Sequence, residues 1–277
     1  MPSEALPDAG SSVRPADLRQ AGAWLVRHGL ADARPTPLLA VRLAARRRAR
    51  LADHIMLAAL MLAAALAQAY DRLATSAYGG FEPHSQTPLL VLTALVVALL
   101  LVRSLLDQWV RRVDRRAGAA LSRRAAHPLQ PGWRAMLGRP YAAFTVATFA
   151  GAMALAASAL TVPDSTVRYA AFILLVGLLG VAVGVALQLR DLLTRPVVAE
   201  DEVSLTADVI MRIEDARELT APTVPWALPV VLLFGTAFGW WNAAALILAL
   251  LGFVASHMIH ARTPSIVTMA RQAMSAR

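Results

Sequence analysis

Six long apolar runs follow one another along this chain, each bordered by arginine on one side only, and the sides alternate in order. A bilayer reads such a pattern, because loops kept on the cytoplasmic side are enriched in basic residues. Of the 27 basic residues, only Arg72 and Arg168 fall in loops that the alternation assigns to the outer side. With both termini cytoplasmic, the remainder divide as nine before the first run, nine between the second and third, four between the fourth and fifth, and three in the tail. The runs are Ile55–Tyr70, Leu89–Val102, Tyr141–Val162 and Tyr169–Leu189, with a last region, Trp226–Ile259. As one helix that region would be about 50 Å long, against a hydrocarbon core of about 30 Å. Gly239-Trp240-Trp241-Asn242 at its middle combines turn formers with interface-seeking indoles, so it divides into two short spans.

The expected fold is therefore all-α: a polytopic membrane protein of six transmembrane helices arranged as three helical hairpins, with cytoplasmic amphipathic helices. Residues 1–52 form a cytoplasmic N-terminal segment and 53–277 the six-span domain, with cytoplasmic loops at 103–139 and 190–225. The starts of the first, third and fifth spans lie about 85 residues apart, which suggests three tandem hairpins. The spacing of Leu100, Val102, Arg103, Leu105 and Leu106 returns in Leu187, Leu189, Arg190, Leu192 and Leu193, although any span that leaves the bilayer as an amphipathic helix gives that pattern. The expected home is the plasma membrane. A mean hydropathy of +0.54, gathered in blocks, is the membrane signature.

Within the N-terminal segment, Met1–Ser12 has a disordered composition, and the absence of an apolar core there predicts no cleaved signal peptide. Ala16–His28 reads as an amphipathic helix with Leu18, Ala21 and Leu25 on one face and Gly29 as its stop. Pro35 and Pro37 precede the basic stretch of Arg42, Arg46, Arg47, Arg48 and Arg50. The chain lacks cysteine, which excludes disulfides and thiol chemistry. All 27 basic residues are arginine, which GC-rich coding explains. The net charge of +9 hugs the spans, so topology accounts for it better than nucleic acid does.

The span centres carry no charge, which disfavours an ion-coupled transporter acting alone. Their polar residues are mild (Gln68, Thr93, Thr145, Thr148, Ser158, Thr236) and suited to bonding backbone carbonyls or a neighbouring helix. Small residues recur at helical spacing: Gly177, Gly180 and Gly184 in the fourth span, Gly235 and Gly239 in the fifth, Ala147 and Gly151 in the third, Gly252 and Ser256 in the sixth. Such faces let helices approach closely, either inside the bundle or across a homo-oligomer. His54, His257 and His260 all fall near the cytoplasmic interface, the latter pair at i, i+3, and are the candidates for a metal; Asp53 is the nearest carboxylate. Interfacial anchoring is the simpler reading of the three, and no cofactor is expected.

The two long cytoplasmic loops differ in sign. Residues 103–139 carry nine Arg against Asp107 and Asp114, whereas 200–218 carry seven carboxylates against Arg212 and Arg217. Ser204 can cap a helix there, with Leu205, Val209, Ile213 and Ala216 along one stripe. An acidic stretch of this kind is ordinarily a solvated face. The hypothesis here is that this helix packs on the basic loop through Arg111, Arg112, Arg115 and Arg116, forming a small cytoplasmic cap; those arginines otherwise contact anionic lipid or a soluble partner. Nucleotide, dinucleotide, serine-hydrolase and zincin motifs are absent, so no enzyme is expected.

Arg195-Pro196-Val197-Val198-Ala199-Glu200-Asp201, with Ser204-Leu205-Thr206-Ala207-Asp208 and Glu214-Asp215-Ala216-Arg217, resembles a segment of uncharacterised multi-pass membrane proteins of high-GC actinobacteria. No assigned activity comes with that resemblance, though some of those proteins accompany ATP-driven export systems. Taken together, the sequence points to a membrane component of a transport or export complex with a cytoplasmic ATPase as partner. Its rivals are a non-catalytic scaffold binding a cytoplasmic regulatory protein and, resting on the histidines alone, an intramembrane metal enzyme. The transport reading requires a cavity between hairpins; the scaffold reading requires tight apolar packing.

Overall fold

The computed structural model describes residues 13–77, 87–119, 132–194, 202–233 and 240–275, and among these the regular structure is all helix, with no strand. Helix α1 (Pro15–Arg27) ends where Gly29 takes φ +69°, as its sequence pattern predicts. Next comes α2 (Pro37–Ala77), entered through Thr36, whose Oγ1 accepts the Leu39 amide at 3.2 Å. At 41 residues α2 is about 62 Å long, so the basic stretch and the first span form a single rod. The boundary at residues 52/53 consequently falls inside a continuous helix.

Helix α3 (Thr87–Ala119) likewise carries its span well past Val102. A short α4 (Trp133–Leu137) leads to α5 (Arg139–Ala159), which starts at Gly138 with φ +74°. The turn at Pro163-Asp164-Ser165 starts α6 (Ser165–Thr194), whose first turn is held by Asp164 Oδ1, accepting the Thr166 amide at 2.7 Å. Then come α7 (Glu202–Leu219), α8 (Thr223–Leu233), α9 (Trp240–Arg262) and α10 (Ile266–Ser275). Helix α7 begins at Glu202, so Ser204 lies within it and is not its cap; acidic residues suit a first turn, where they face the positive end of the dipole.

Among the described residues five helices are long and apolar enough to cross a membrane: α2, α3, α5, α6 and α9. Helix α8 has only 11 residues, about 16 Å, and contains Pro225 and Pro229. It is nonetheless among the most deeply buried elements, with Leu228, Leu232 and Leu233 fully enclosed. The last apolar region is thus two helices, with the intervening residues 234–239 outside those described. In the bundle α2 packs on α3, α5 on α6 and α8 on α9, while α8 also touches α2, α5 and α6. The shared core is plain aliphatic: Leu60, Val96, Leu99, Ala152, Ala156, Leu174 and Leu178 surround Leu228 and Leu232.

Close approach in this core rests on the small residues. A methyl at Gly177 would meet Val96 of α3 at 3.4 Å and Leu228 of α8 at 3.5 Å. Gly180 faces Leu100, Gly151 faces Leu248, and Gly252 lies under the Trp226 indole. These contacts lie within one chain, whereas Gly184 faces open space. Gly235 and Gly239 lie outside the described residues. Of the mild polar residues, Thr148 Oγ1 donates to the Phe144 carbonyl at 2.9 Å and Ser158 Oγ to the Leu155 carbonyl at 2.7 Å, while Thr236 lies outside the described residues.

One end of the bundle is continuous with a second core. Trp24 and Leu25 of α1, Leu39 and Ala40 of α2, Val209, Ile210, Met211 and Ile213 of α7, and Met269 and Ala270 of α10 pack into it. Met136, Leu137, Tyr141 and Ala216 make a smaller cluster between this cap and the ends of α6 and α9. The predicted stripe on α7 is buried at Val209, Ile213 and Ala216 and half-buried at Leu205.

Candidate functional site

The sequence places charge on three elements that meet in the cap. On α2, Arg42, Arg46 and Arg50 recur every four residues and share one helix face. On α7, Asp208, Arg212 and Asp215 project towards them, and α3 contributes Asp114 from beyond its span. The Arg42 guanidinium donates to Asp114 Oδ1 (3.1 Å) and to Asp208 Oδ1 (2.6 Å). Arg46 donates through two nitrogens to Asp114 (3.0 and 2.9 Å) and through Nε to Asp215 (2.8 Å). Arg212 closes the set on Asp208 Oδ2 at 2.9 Å. Asp208 has no exposed surface, and Arg42, Arg46 and Asp114 retain 6% each.

These six residues, three of each sign, are electrically neutral together. Burying them stripped their water, a cost that only bidentate, fully bonded geometry can offset. The network therefore specifies which helices meet more than it adds net stability. Arg50 extends it outward by pairing with Glu218, and Glu214 receives the Trp24 indole N–H (3.4 Å) and His28 Nε2 (3.0 Å). His28 Nδ1 lies 2.7 Å from the Trp24 carbonyl oxygen, an acceptor only, so that nitrogen donates. Burial pushes the Glu218 carboxyl up despite the opposing Arg50. Burial likewise pulls Arg217 down from the usual arginine value. Arg217 donates to the Pro264 carbonyl (3.3 Å) and the Met269 thioether (2.7 Å), tying α7 to the C-terminal helix.

The sequence-based view of α7 as a solvated acidic face is overturned: Asp208, Asp215 and Glu218 are taken up by arginine, and Glu214 by Trp24 and His28. The arginines are not those of the basic loop. Arg111 pairs with Asp191 of α6 at 3.4 Å, and Arg112, Arg115 and Arg116 are exposed. The physical reason is distance along α2: its unbroken helix carries Arg42 and Arg46 to the level of α7, with Asp114 between them. Reversing Arg112, Arg115 and Arg116 to Glu is accordingly expected to leave α7 docked. Arg46→Glu should raise protease cleavage within 202–219 about tenfold or more, since each 1.4 kcal/mol lost multiplies the open population by ten.

The predicted metal ligands do not assemble. His54 Nδ1 donates to the Arg50 carbonyl at 2.7 Å, His257 and His260 are exposed on α9, and no group of three or more His, Asp or Glu suited to a metal forms among the described residues.

Two cavities adjoin the network. One of about 140 Å³ lies between α2, α3, α6 and α7, with Asp53, Arg103, Asp107, Arg111, Gln188 and Asp191 around it. The other, about 360 Å³, lies between the α1–α2 turn and α7, with Leu25, Leu39, Val203 and Met211 in its wall. Both lie at the cap and neither is in the apolar bundle. No protein-family model, curated protein or solved structure matches the chain.

Proposed function

We propose that this is a non-catalytic plasma-membrane scaffold or regulatory protein, with both termini in the cytoplasm and a rigid helical cap that binds a cytoplasmic partner. The observation that carries this reading is where the buried charge goes. It fastens α2, α3 and α7 into the cap, while the span interior is filled by Ala, Val and Leu. The exposed arginines of α3, Arg112, Arg115 and Arg116, remain the basic surface for an acidic partner or anionic lipid.

Six crossings in three hairpins belong to this proposal. The chain leaves the cap at Thr220, whose carbonyl accepts Thr145 Oγ1 at 3.1 Å, and returns to it with Ile259 at the end of α9. Helix α9 is about 35 Å long, and α8 enters the bundle from Thr223 ahead of it. Reporter fusions after Gly80, Asp164 and Trp241 are expected to lack cytosolic activity. A cytosolic signal from any of the three would refute the topology.

The second reading, a membrane component of a transport or export complex, is favoured by α8: a short, proline-bearing helix at the bundle centre is the kind of broken element that transporters use. The resemblance to actinobacterial membrane proteins, some of which accompany export ATPases, points the same way. Purification of the tagged protein in mild detergent tests both. The scaffold reading expects a stoichiometric non-ATPase partner that is lost in Arg112→Glu/Arg115→Glu/Arg116→Glu. A co-purifying ATPase would overturn it in favour of transport.

A further inference from the structure

We infer that the larger cavity, between the α1–α2 turn and α7, binds a small uncharged molecule that has an apolar body and an acceptor oxygen. Its volume of about 360 Å³ lies within the range of ligand sites. Leu25, Leu38, Leu39, Val203, Ala207 and Met211 make its apolar wall. Set into that wall is Arg42, a residue only 6% exposed. Its Nε donates to Asp114 and its Nη2 to Asp208, but Nη1 donates to nothing among the described residues. Nη1 is not sealed off either, so its N–H groups face the space that Arg42 lines. A donor in such apolar surroundings calls for an acceptor, and an occupant with an oxygen supplies it.

Charge and position narrow the class. Arg42 already faces two carboxylates, and Asp32 and Arg34 at the α1–α2 turn offset one another. An anion would be a third negative group around one guanidinium, so a neutral carbonyl or hydroxyl oxygen suits Nη1 better. Leu39 stands 16 residues before Ile55, where the apolar run of α2 begins, a distance of about 24 Å along the helix. Headgroups reach only about 5–8 Å beyond the hydrocarbon, so the occupant comes from water and not from the bilayer. A dry cavity of about 150 Å³ holds one benzene ring, which gives this one room for two linked rings. Release of water from the six apolar side chains drives binding, and the single oxygen sets the orientation. The site uses none of the α3 arginines proposed to meet a partner, and stands whether or not that reading does.

The test uses the full-length protein in mild detergent and benzophenone, a two-ring ketone. Under near-ultraviolet light its oxygen takes a hydrogen from a neighbouring C–H group and its carbonyl carbon bonds to the carbon left behind. Peptide mass spectrometry should find saturable label within 203–211, where Met211 lines the cavity. Competitors are compared at equal free concentration. Benzhydrol, which carries a neutral oxygen, should displace the label about tenfold better than diphenylmethane, which has none, the effect of one hydrogen bond to a charged donor. It should likewise outcompete the charged diphenylacetate. Val203→Trp, which fills the cavity from an exposed position, should abolish the label. Arg42→Met/Asp208→Leu/Arg212→Met, which removes Nη1 together with its partners, should bring benzhydrol level with diphenylmethane. No saturable label in 203–211, label that survives Val203→Trp, or equal competition by diphenylmethane in the wild type would overturn the assignment. So would strongest competition by diphenylacetate, or a benzhydrol preference retained in the triple variant.

Discussion

Asp208→Ala is expected to destabilise the cap by about 3–5 kcal/mol, the cost of leaving buried charge uncompensated. Asp208 is fully enclosed and bridges Arg42 to Arg212. Without it, Arg212 loses its 2.9 Å bond and Arg42 its 2.6 Å bond to that carboxylate. Hydrogen exchange on α1, α2 and α7 is the readout, because the loss should appear as faster exchange across the cap with little change in α5 and α9. A simultaneous change of Arg42, Asp208 and Arg212 to apolar residues of similar size should recover most of the stability, since no lone charge then remains. Failure of the triple variant to recover would show that the network contributes stability outright, beyond specifying which helices meet. An Asp208→Ala protein with unchanged exchange would mean that the network is not buried as described.

The second large effect is expected in the bundle. A methyl added at Gly252 would lie 2.6 Å from Cε2 and 3.0 Å from Cζ2 of Trp226. An indole ring held between α5 and α9 cannot bend away as a flexible chain can; it faces Phe144 at a ring-centroid distance of 6.3 Å. Gly252→Ala is expected to cost about 1–3 kcal/mol, the usual range for overpacking. It should lower the unfolding midpoint in detergent. In a Trp226→Phe background the smaller ring leaves room and the penalty should shrink, giving a coupling energy of about 0.5–3 kcal/mol in the double-mutant cycle. Additive effects would mean that α8 and α9 do not meet through this pair.

Five of the apolar runs were legible as helices long enough to cross a membrane, because spanning length acts on composition, which is local. The α7 stripe of Val209, Ile213 and Ala216 was legible for the same reason, as a periodicity. The partners of α7 were harder to read. Arg42, Arg46 and Arg50 stand at i, i+4 and i+8, a one-face spacing, but the stretch also satisfies the positive-inside rule, and one explanation concealed the other. Asp114 appeared only as an offset to surrounding arginines, because its role depends on helices 72 and 94 positions away in sequence meeting in space. Trp24 and His28 were overlooked because their shared acceptor, Glu214, lies on a different helix. The short reach of α8 was hidden as well, since an apolar run signals burial without revealing where a helix stops.

Helix α2 has no proline or glycine between Pro37 and Ala77, and so offers no hinge where movement at one end could be absorbed. A tilt of about 5° imposed at its arginine-rich end would sweep its opposite tip by about 5 Å, given a rod of about 62 Å. Anything that pulls on the cap is thereby felt across the bilayer as leverage.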